Sequence, residues 1–238
     1  MAKLRLDLHV HSAYSADGCM EISSIVELAR AKGLDGVAIC DHNRVYTDAA
    51  EYEDFLLIPG VEVSTQYGHL LGLFVSGAVD TNDFFEAVRL IKEQGGLAVL
   101  AHPYEHKKYE GKLDEIAGEL DGVEVWNARA DRKNRSANAQ ALEFAKKYAL
   151  PVTGGSDAHT PAEVGNGYVV IEVVEKSLED VKKALKGGNG TAEGVRAKAT
   201  STAKSQFVRR VKQGASFKSY VKWSLFAAKC VLQDLIGG

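Results

Sequence analysis

His9 and His11 stand two residues apart at the end of the first apolar run, LRLDLHVH, and they begin a pattern that recurs along the chain. His42 follows GVAIC, His69 opens GHLLGLF downstream of Glu62, His102 closes LAVLAH, and His159 closes VTGGSDAH two residues after Asp157. Of seven histidines only His106 lies away from such a run. One imidazole so placed reads as a satisfied core or surface group, whereas six from five separate segments read as a collected ligand set. Alternate residues of a strand share a face, so His9 and His11 point the same way, as do Asp157 and His159. Imidazole suits zinc, iron or manganese, and carboxylate oxygens favour the harder ions and can bridge two of them. Six imidazoles with Asp17, Glu62 and Asp157 are too many ligands for one tetrahedral ion and enough for two or three. Ions about 3.5–4 Å apart acidify a shared water and clamp the attacking and leaving oxygens of a displacement at phosphorus.

Such a set needs a scaffold that brings strand ends together. LRLDLHV and GVAIC read as strands, with ISSIVELARAKG between them as a helix stopped at Gly33. LLIPGVEVSTQYGHLLGLFV reads as two strands turning near Tyr67 and Gly68. TNDFFEAVRLIKEQGG is the clearest helix, capped at Thr81 or Asn82 and ended by a glycine pair. LAVLAHP, GVEVWN, LPVTGGSDAH and GYVVIEVV read as further strands. A short helical patch lies at Lys112 to Ala117, a helix covers NRSANAQALEFAKKYA, and SLEDVKKALKGG opens with a capping box from Ser177 to Asp180. Strand–helix repeats with buried, β-branched strands predict a parallel sheet, open or closed into a barrel. In an α/β barrel the loops at the strand C-termini meet at one mouth.

At 238 residues the chain can hold one α/β domain with an extension, or two small domains. Cys19, Cys40 and Cys230, odd in number and scattered, predict reduced thiols and a cytoplasmic setting. The lack of a signal-peptide pattern and of an apolar run of about 18 residues predicts a soluble chain with no stable membrane insertion. A net charge of -3 hides an asymmetry: from Thr191 onward nine Lys/Arg face only Glu193 and Asp234. KGGNGTAEGVRAKATSTAKS reads as a linker. FVRRVKQGASFKSYVKWSLFAAKCVLQDLI reads as two short basic amphipathic helices that cap the barrel. Oligomerisation through these helices, nucleic-acid contact and membrane-surface attachment are the alternatives.

DLHVHSAYSADG, AICDHN, PGVEVS…GHLLGLF, LAHP and VTGGSDAH, in this order and spacing, resemble the motifs of the PHP (polymerase and histidinol phosphatase) superfamily over roughly residues 4–175. The resemblance implies an α/β fold, a distorted, TIM-like (β/α)7 barrel with a trinuclear metal site at its mouth. It would occupy residues 1–190, followed at 191–238 by a linker and a basic helical C-terminal extension. By position it implies a first divalent ion held by His9, His11, Glu62 and Asp157. Glu62, His69 and His102 would hold a second, and Asp17, His42 and His159 a third. The two to three ions would be manganese, iron or zinc, with magnesium admitted. Asp17, where some relatives carry histidine, resembles the branch that includes phosphatases acting on nucleotides. Cys40 departs from a common threonine, and Cys19 is either a soft accessory ligand or a small loop residue, the latter preferred. Arg129 falls on the arginine of an N-x-R found in PHP phosphoesterases, which makes it the expected cation for phosphate oxygens. Arg132 and Arg135 read as a solvated helix start, and Lys107 and Lys108 as surface charge. Larger relatives carry an inserted domain in this region; its lack here predicts a more open mouth, tolerant of substrate size.

The implied function is a metal-dependent phosphoesterase. A metal-bridged hydroxide would attack a phosphomonoester in line, with Arg129 and the metals stabilising the developing charge. The resemblance leans toward a small phosphorylated substrate of the nucleotide class: a nucleoside 3′,5′-bisphosphate, an AMP-like monoester, or the 5′ end of a short RNA. Histidinol phosphatase is the alternative within the enzyme class. A non-catalytic PHP interaction module is the alternative outside it, and the complete ligand set argues against that.

Overall fold

From Leu6 to Val10 every residue of the first strand, β1 (Ala2–Val10), is buried, as expected of a strand covered on both faces. The computed structural model describes residues 1–46, 52, 54–106 and 111–236, so Lys107 and Lys108 lie outside the described residues. β1 pairs in parallel with β2 (Gly36–Ile39) and antiparallel with β8 (Gly167–Val173). β3 (Leu56–Thr65) continues the parallel run and returns through a tight turn at Gln66 and Tyr67 into β4 (Gly68–Leu73). That register sets Ser64 opposite His69 and Glu62 opposite Leu71. β4 pairs antiparallel with β5 (Leu97–Ala101), and β6 (Gly122–Asn127) and β7 (Val152–Gly155) follow in parallel. β9 (Thr191–Gly194) lies antiparallel on β8. The sheet order is β7-β6-β5-β4-β3-β2-β1-β8-β9.

Four of the eight pairings are therefore antiparallel, where the strand–helix pattern predicted a parallel sheet. The β3–β4 connection shows why: a parallel pair needs a crossover of a dozen residues or more, and two residues permit only a hairpin. The sheet nearly closes into a barrel at the end that carries the first histidines. The Asp157 amide donates to the His9 carbonyl at 2.8 Å, and the His11 amide to that of Ala158 at 2.8 Å. Closure depends on the bare backbone of Gly155, where a Cβ would stand 2.3 Å from His9 Cβ.

Helices α1 (Ile22–Ala31), α2 (Phe84–Glu93), α4 (Ala137–Lys147) and α5 (Leu178–Lys186) form near their predicted places. On α2 the buried side chains Phe84, Ala87, Val88 and Ile91 follow helical spacing. Its cap is Asp83, which accepts from the Glu86 amide at 2.9 Å, whereas Thr81 instead accepts from the Asp83 amide. Ser177 caps α5 through the Asp180 amide, but the Asp180 carboxylate turns to the Glu175 amide, so only half of the capping box forms. A short helix absent from the sequence reading, α3 (Ala128–Lys133), precedes α4 and is capped by the Asn127 side chain. Two turns of 3-10 helix, Leu113–Glu115 and Ala117–Glu119, fill the short helical patch.

The stretch read as a linker is ordered into β9 and the start of α6 (Ala199–Lys212). Its small residues serve packing: a Cβ on Gly194 would lie 2.2 Å from Trp126 Nε1. α7 (Phe217–Ile236) packs on α6 around Ala199, Ala203 and Cys230. Asp234, near its end, accepts from the Ala199 and Thr200 amides at the start of α6. The two helices are 14 and 20 residues long, and among the described residues no helix is long and apolar enough to cross a membrane.

Candidate metal centre

Glu62, at the inner end of β3, is the hub. Its Oε1 lies 2.7 Å from His69 Nδ1, 3.1 Å from His102 Nε2 and 3.6 Å from His9 Nε2. Its Oε2 lies 2.7 Å from His42 Nδ1 and 3.5 Å from His11 Nε2. Asp157 approaches His11 Nε2 at 3.3 Å and His9 Nε2 at 3.8 Å. Asp17 stands 3.4 Å from His159 Nε2 and 3.7 Å from His42 Nε2. All nine residues expected from the sequence thus converge. His106 stays apart, against Lys133 and Glu105. Cys19 donates its thiol to the His159 carbonyl at 3.4 Å, consistent with a loop residue.

The neighbours of each imidazole fix which nitrogen faces inward. Glu124 holds His9 Nδ1 at 3.0 Å. Ser15 Oγ gives its own proton to Asp41, so it accepts from His11 Nδ1 at 3.1 Å. The Asp157 carbonyl, which can only accept, holds His159 Nδ1 at 2.9 Å. In all three rings Nδ1 carries a proton and Nε2 is the nitrogen turned to the cluster. Burial opposes charge on His9, but Glu124, Asp157 and Glu62 outweigh it and raise its pKa well above the ordinary imidazole value. Its Nε2, 3.1 Å from that of His11, therefore holds a proton that a bound ion would displace. His102 and Asp157 adopt positive φ values of 30° and 55°, a sparsely populated backbone region that turns the chain at the two strand ends.

The electrostatics suit cations. Burial opposes charge on Glu62 and Asp157, yet the surrounding imidazoles hold both carboxyls well below the usual range. Burial, with His159 and His42 beside it, holds His11 well below the ordinary imidazole value, so that ring is neutral. Burial also opposes charge on His42 and His102, but Glu62 outweighs it and lifts both to about 9. Without cations the carboxylates thus recruit protons, which a metal must displace. Glu62 Oε2 and Asp17 Oδ1 are buried and make no well-aligned hydrogen bond; their near neighbours are imidazole nitrogens, His42 Nδ1 at 2.7 Å and His159 Nε2 at 3.4 Å. Buried anionic oxygens ringed by imidazole nitrogens are a donor set that fits divalent ions. Among the described residues three groups have ligand atoms within 4.8 Å of one another: His9, His11 and Asp157; His9, Glu62 and His102; His11, His42 and His159.

Arg129 lines the same mouth but is held by Glu163 through Nε at 2.7 Å and Nη2 at 2.9 Å. Burial opposes its charge, and the Glu163 carboxylate more than compensates, raising its pKa. Glu163 also accepts from the His159 and Thr160 amides. Arg129 is therefore tied to the backbone of a cluster residue, and Nη1 is the nitrogen left to face a ligand. Arg132 lines the mouth too, while Arg135 is exposed outside it.

Four supporting carboxylates escaped the sequence reading: Asp7, Asp41, Glu124 and Glu163. Asp41 accepts from Ser12 and Ser15, amide and hydroxyl of each, and so shapes the turn after β1. Asp7 accepts from the Ser156 and Gly165 amides, and burial lifts its carboxyl to about 6 despite these bonds. Glu124 carried a legible signal, a charge inside the apolar run GVEVWN. The cavity above the cluster, of about 620 Å³, is also lined by Thr202, Gln206 and Arg209 of α6 and by Phe226 of α7.

A nearly closed barrel with imidazoles and carboxylates at its strand ends defines the class of metal-dependent hydrolases. The family model described as PHP domain matches residues 7–149, and that described as PHP-associated matches residues 135–189. The chain belongs to the PHP family. An uncharacterised protein of Methanocaldococcus jannaschii is 34% identical over 174 residues, 70% of each chain. A phosphoribosyl 1,2-cyclic phosphate 1,2-diphosphodiesterase of Eggerthella lenta is 31% identical over 153 residues, 63% of this chain and 56% of that enzyme. A two-domain protein of Bacteroides vulgatus containing a predicted PHP-like metal-dependent phosphoesterase superposes with a TM-score of 0.65 at 22% identity, over 82% of this chain and 65% of that one. The chain thus spans little more than half of the Eggerthella enzyme and under two thirds of the Bacteroides protein.

Proposed function

We propose that this chain is a phosphomonoesterase acting on nucleotides or on the 5′ end of short RNA. The observation that carries the reading is Glu62, one buried carboxylate touching five imidazoles beneath a cavity that arginines also line. His9, His11, Glu62 and Asp157 would hold one divalent ion, His69 and His102 with Glu62 a second, and Asp17, His42 and His159 a third. Bound there, such ions would supply a water acidified to a nucleophile near neutral pH and neutralise phosphate charge. The chain's own part is orientation: Glu124, Ser15 and the Asp157 carbonyl fix the imidazoles, and Arg129, braced by Glu163, aims Nη1 at a phosphate oxygen. The cysteines form no disulfide, in accord with the cytoplasmic setting we assign.

The test is phosphate release by the manganese-loaded protein from AMP, adenosine 3′,5′-bisphosphate, 5′-phosphorylated short RNA, histidinol phosphate and an aryl phosphate. We expect two or three ions per chain and turnover fastest on a nucleotide or RNA end. Bound metal with no release from any of these would overturn the enzyme reading. Preference for histidinol phosphate would overturn the substrate class.

A further inference from the structure

The mouth has a second wall whose chemistry differs from that of the cluster. Thr202, Gln206 and Arg209 follow one another at helical spacings of four and three, so they share one face of α6. That face lines the same cavity as the metal-binding residues, together with Arg132 of α3 and Phe226 of α7. Two polar atoms of this wall are buried and have no hydrogen-bond partner: Arg132 Nε and Thr202 Oγ1. A buried guanidinium N–H without an acceptor is costly, and ligand oxygens entering this cavity would supply one. Arg209 is exposed and makes no ion pair among the described residues, so its fork is free for an anion. The wall is held in register with the cluster: Lys212 Nζ, three residues beyond Arg209, donates to the carbonyls of Ala13 at 2.6 Å, Ser15 at 2.8 Å and Gly18 at 2.8 Å. Those carbonyls belong to the turn that carries Asp17.

We infer that Arg132 and Arg209, with Thr202 and Gln206, form a second anion subsite. It takes a second phosphate of a substrate whose first phosphate lies at the metal cluster. Guanidinium forks match phosphate oxygens in pairs, and the Thr202 hydroxyl and Gln206 amide add neutral donors. The inference rests on the phosphoesterase reading for the first phosphate and assigns the second to α6, a helix outside both matched family segments. The second phosphate is either terminal, as in a nucleoside bisphosphate, or the internucleotide diester of an RNA end.

The test is calorimetric, on the metal-loaded full chain, with uncleavable analogues of AMP, of adenosine 3′,5′-bisphosphate and of a 5′-phosphorylated adenosine dinucleotide in which every phosphate is replaced by a phosphonate. One of the two ligands with a second phosphate should bind at least about tenfold more tightly than the AMP analogue, and which one gains tells the terminal phosphate from the diester. Arg209→Gln and Arg132→Gln should each remove most of that gain. Lys204→Gln, an exposed cation of α6 outside the cavity, should leave it unchanged. No gain in the native protein, or an equal loss with Lys204→Gln, would overturn the subsite. Failure of the phosphoesterase reading is separate: it would leave the affinity gain in place with no phosphate released from cleavable substrates.

Discussion

Glu124 decides which nitrogen His9 shows to the cluster. One of its oxygens holds His9 Nδ1 at 3.0 Å, and the other accepts from the His102 amide at 3.0 Å and Asn127 Nδ2 at 2.9 Å. Only an ionised carboxylate can accept all three, because an amide at this place must turn its NH2 toward a donor. Glu124→Gln should therefore weaken metal binding about 10–100-fold, the usual effect of losing a residue that orients a ligand, while the barrel still folds. Chelator competition read by metal emission, with circular dichroism as the folding control, checks both parts; unchanged affinity would refute the role. Arg129 shows the limit of reading a residue alone. Its type and place suggest a phosphate contact, but two of its nitrogens are spent on Glu163, which itself holds the His159 amide. Removing the arginine would strand a fully buried carboxylate beside the cluster, so its effect would spread to metal binding.

α6 connects extension and cluster through one side chain. The Lys212 ammonium satisfies three carbonyls of the turn after β1, and a neutral side chain there would leave those carbonyls to water or to one another. Lys212→Met should lower stability by about 1–3 kcal/mol and loosen the Asp17 turn. The expected readout is loss of the weakest-held ion first, seen as a drop in metal-to-protein ratio during dialysis against a mild chelator. A lowered melting temperature with full metal retention would show the contact to be structural only. The cluster was legible in the sequence because its ligands sit on strands, whose period and ends are visible in patterns such as LDLHVH and VTGGSDAH. Of α6 only FVRRVK reads as helix and ATSTAKS as linker, and nothing in ATSTAKSQFVRRVK says which face meets a distant loop. β9 was hidden for a similar reason: TAEG lacks β-branched alternation, and its place is set by packing against Trp126. α3 is six residues long and offers no period to detect. The antiparallel share of the sheet was missed because strand direction depends on connection length rather than strand composition.

At the scale of the whole chain, charge and function pull in opposite directions unless the charge is resolved in space. A net charge of -3 argues against collecting a phosphorylated substrate. The excess is unevenly held: residues 191–238 carry nine cationic side chains against two acids, and the rest carries twenty against thirty. The fold sets part of that basic segment at the mouth, where Arg209 joins Arg129, Arg132 and Lys133. Local field rather than net charge governs the approach of a small ion. Raising ionic strength from about 20 mM to about 300 mM shortens the screening length from about 20 Å to about 6 Å. If the mouth steers substrate, kcat/KM for a nucleotide should fall several-fold over that range, and the fall should be shallower for Arg209→Gln. If the acidic body dominates, screening relieves repulsion and kcat/KM should rise. The sign of the salt dependence therefore decides whether the extension acts as part of the substrate path or only as a cap on the barrel.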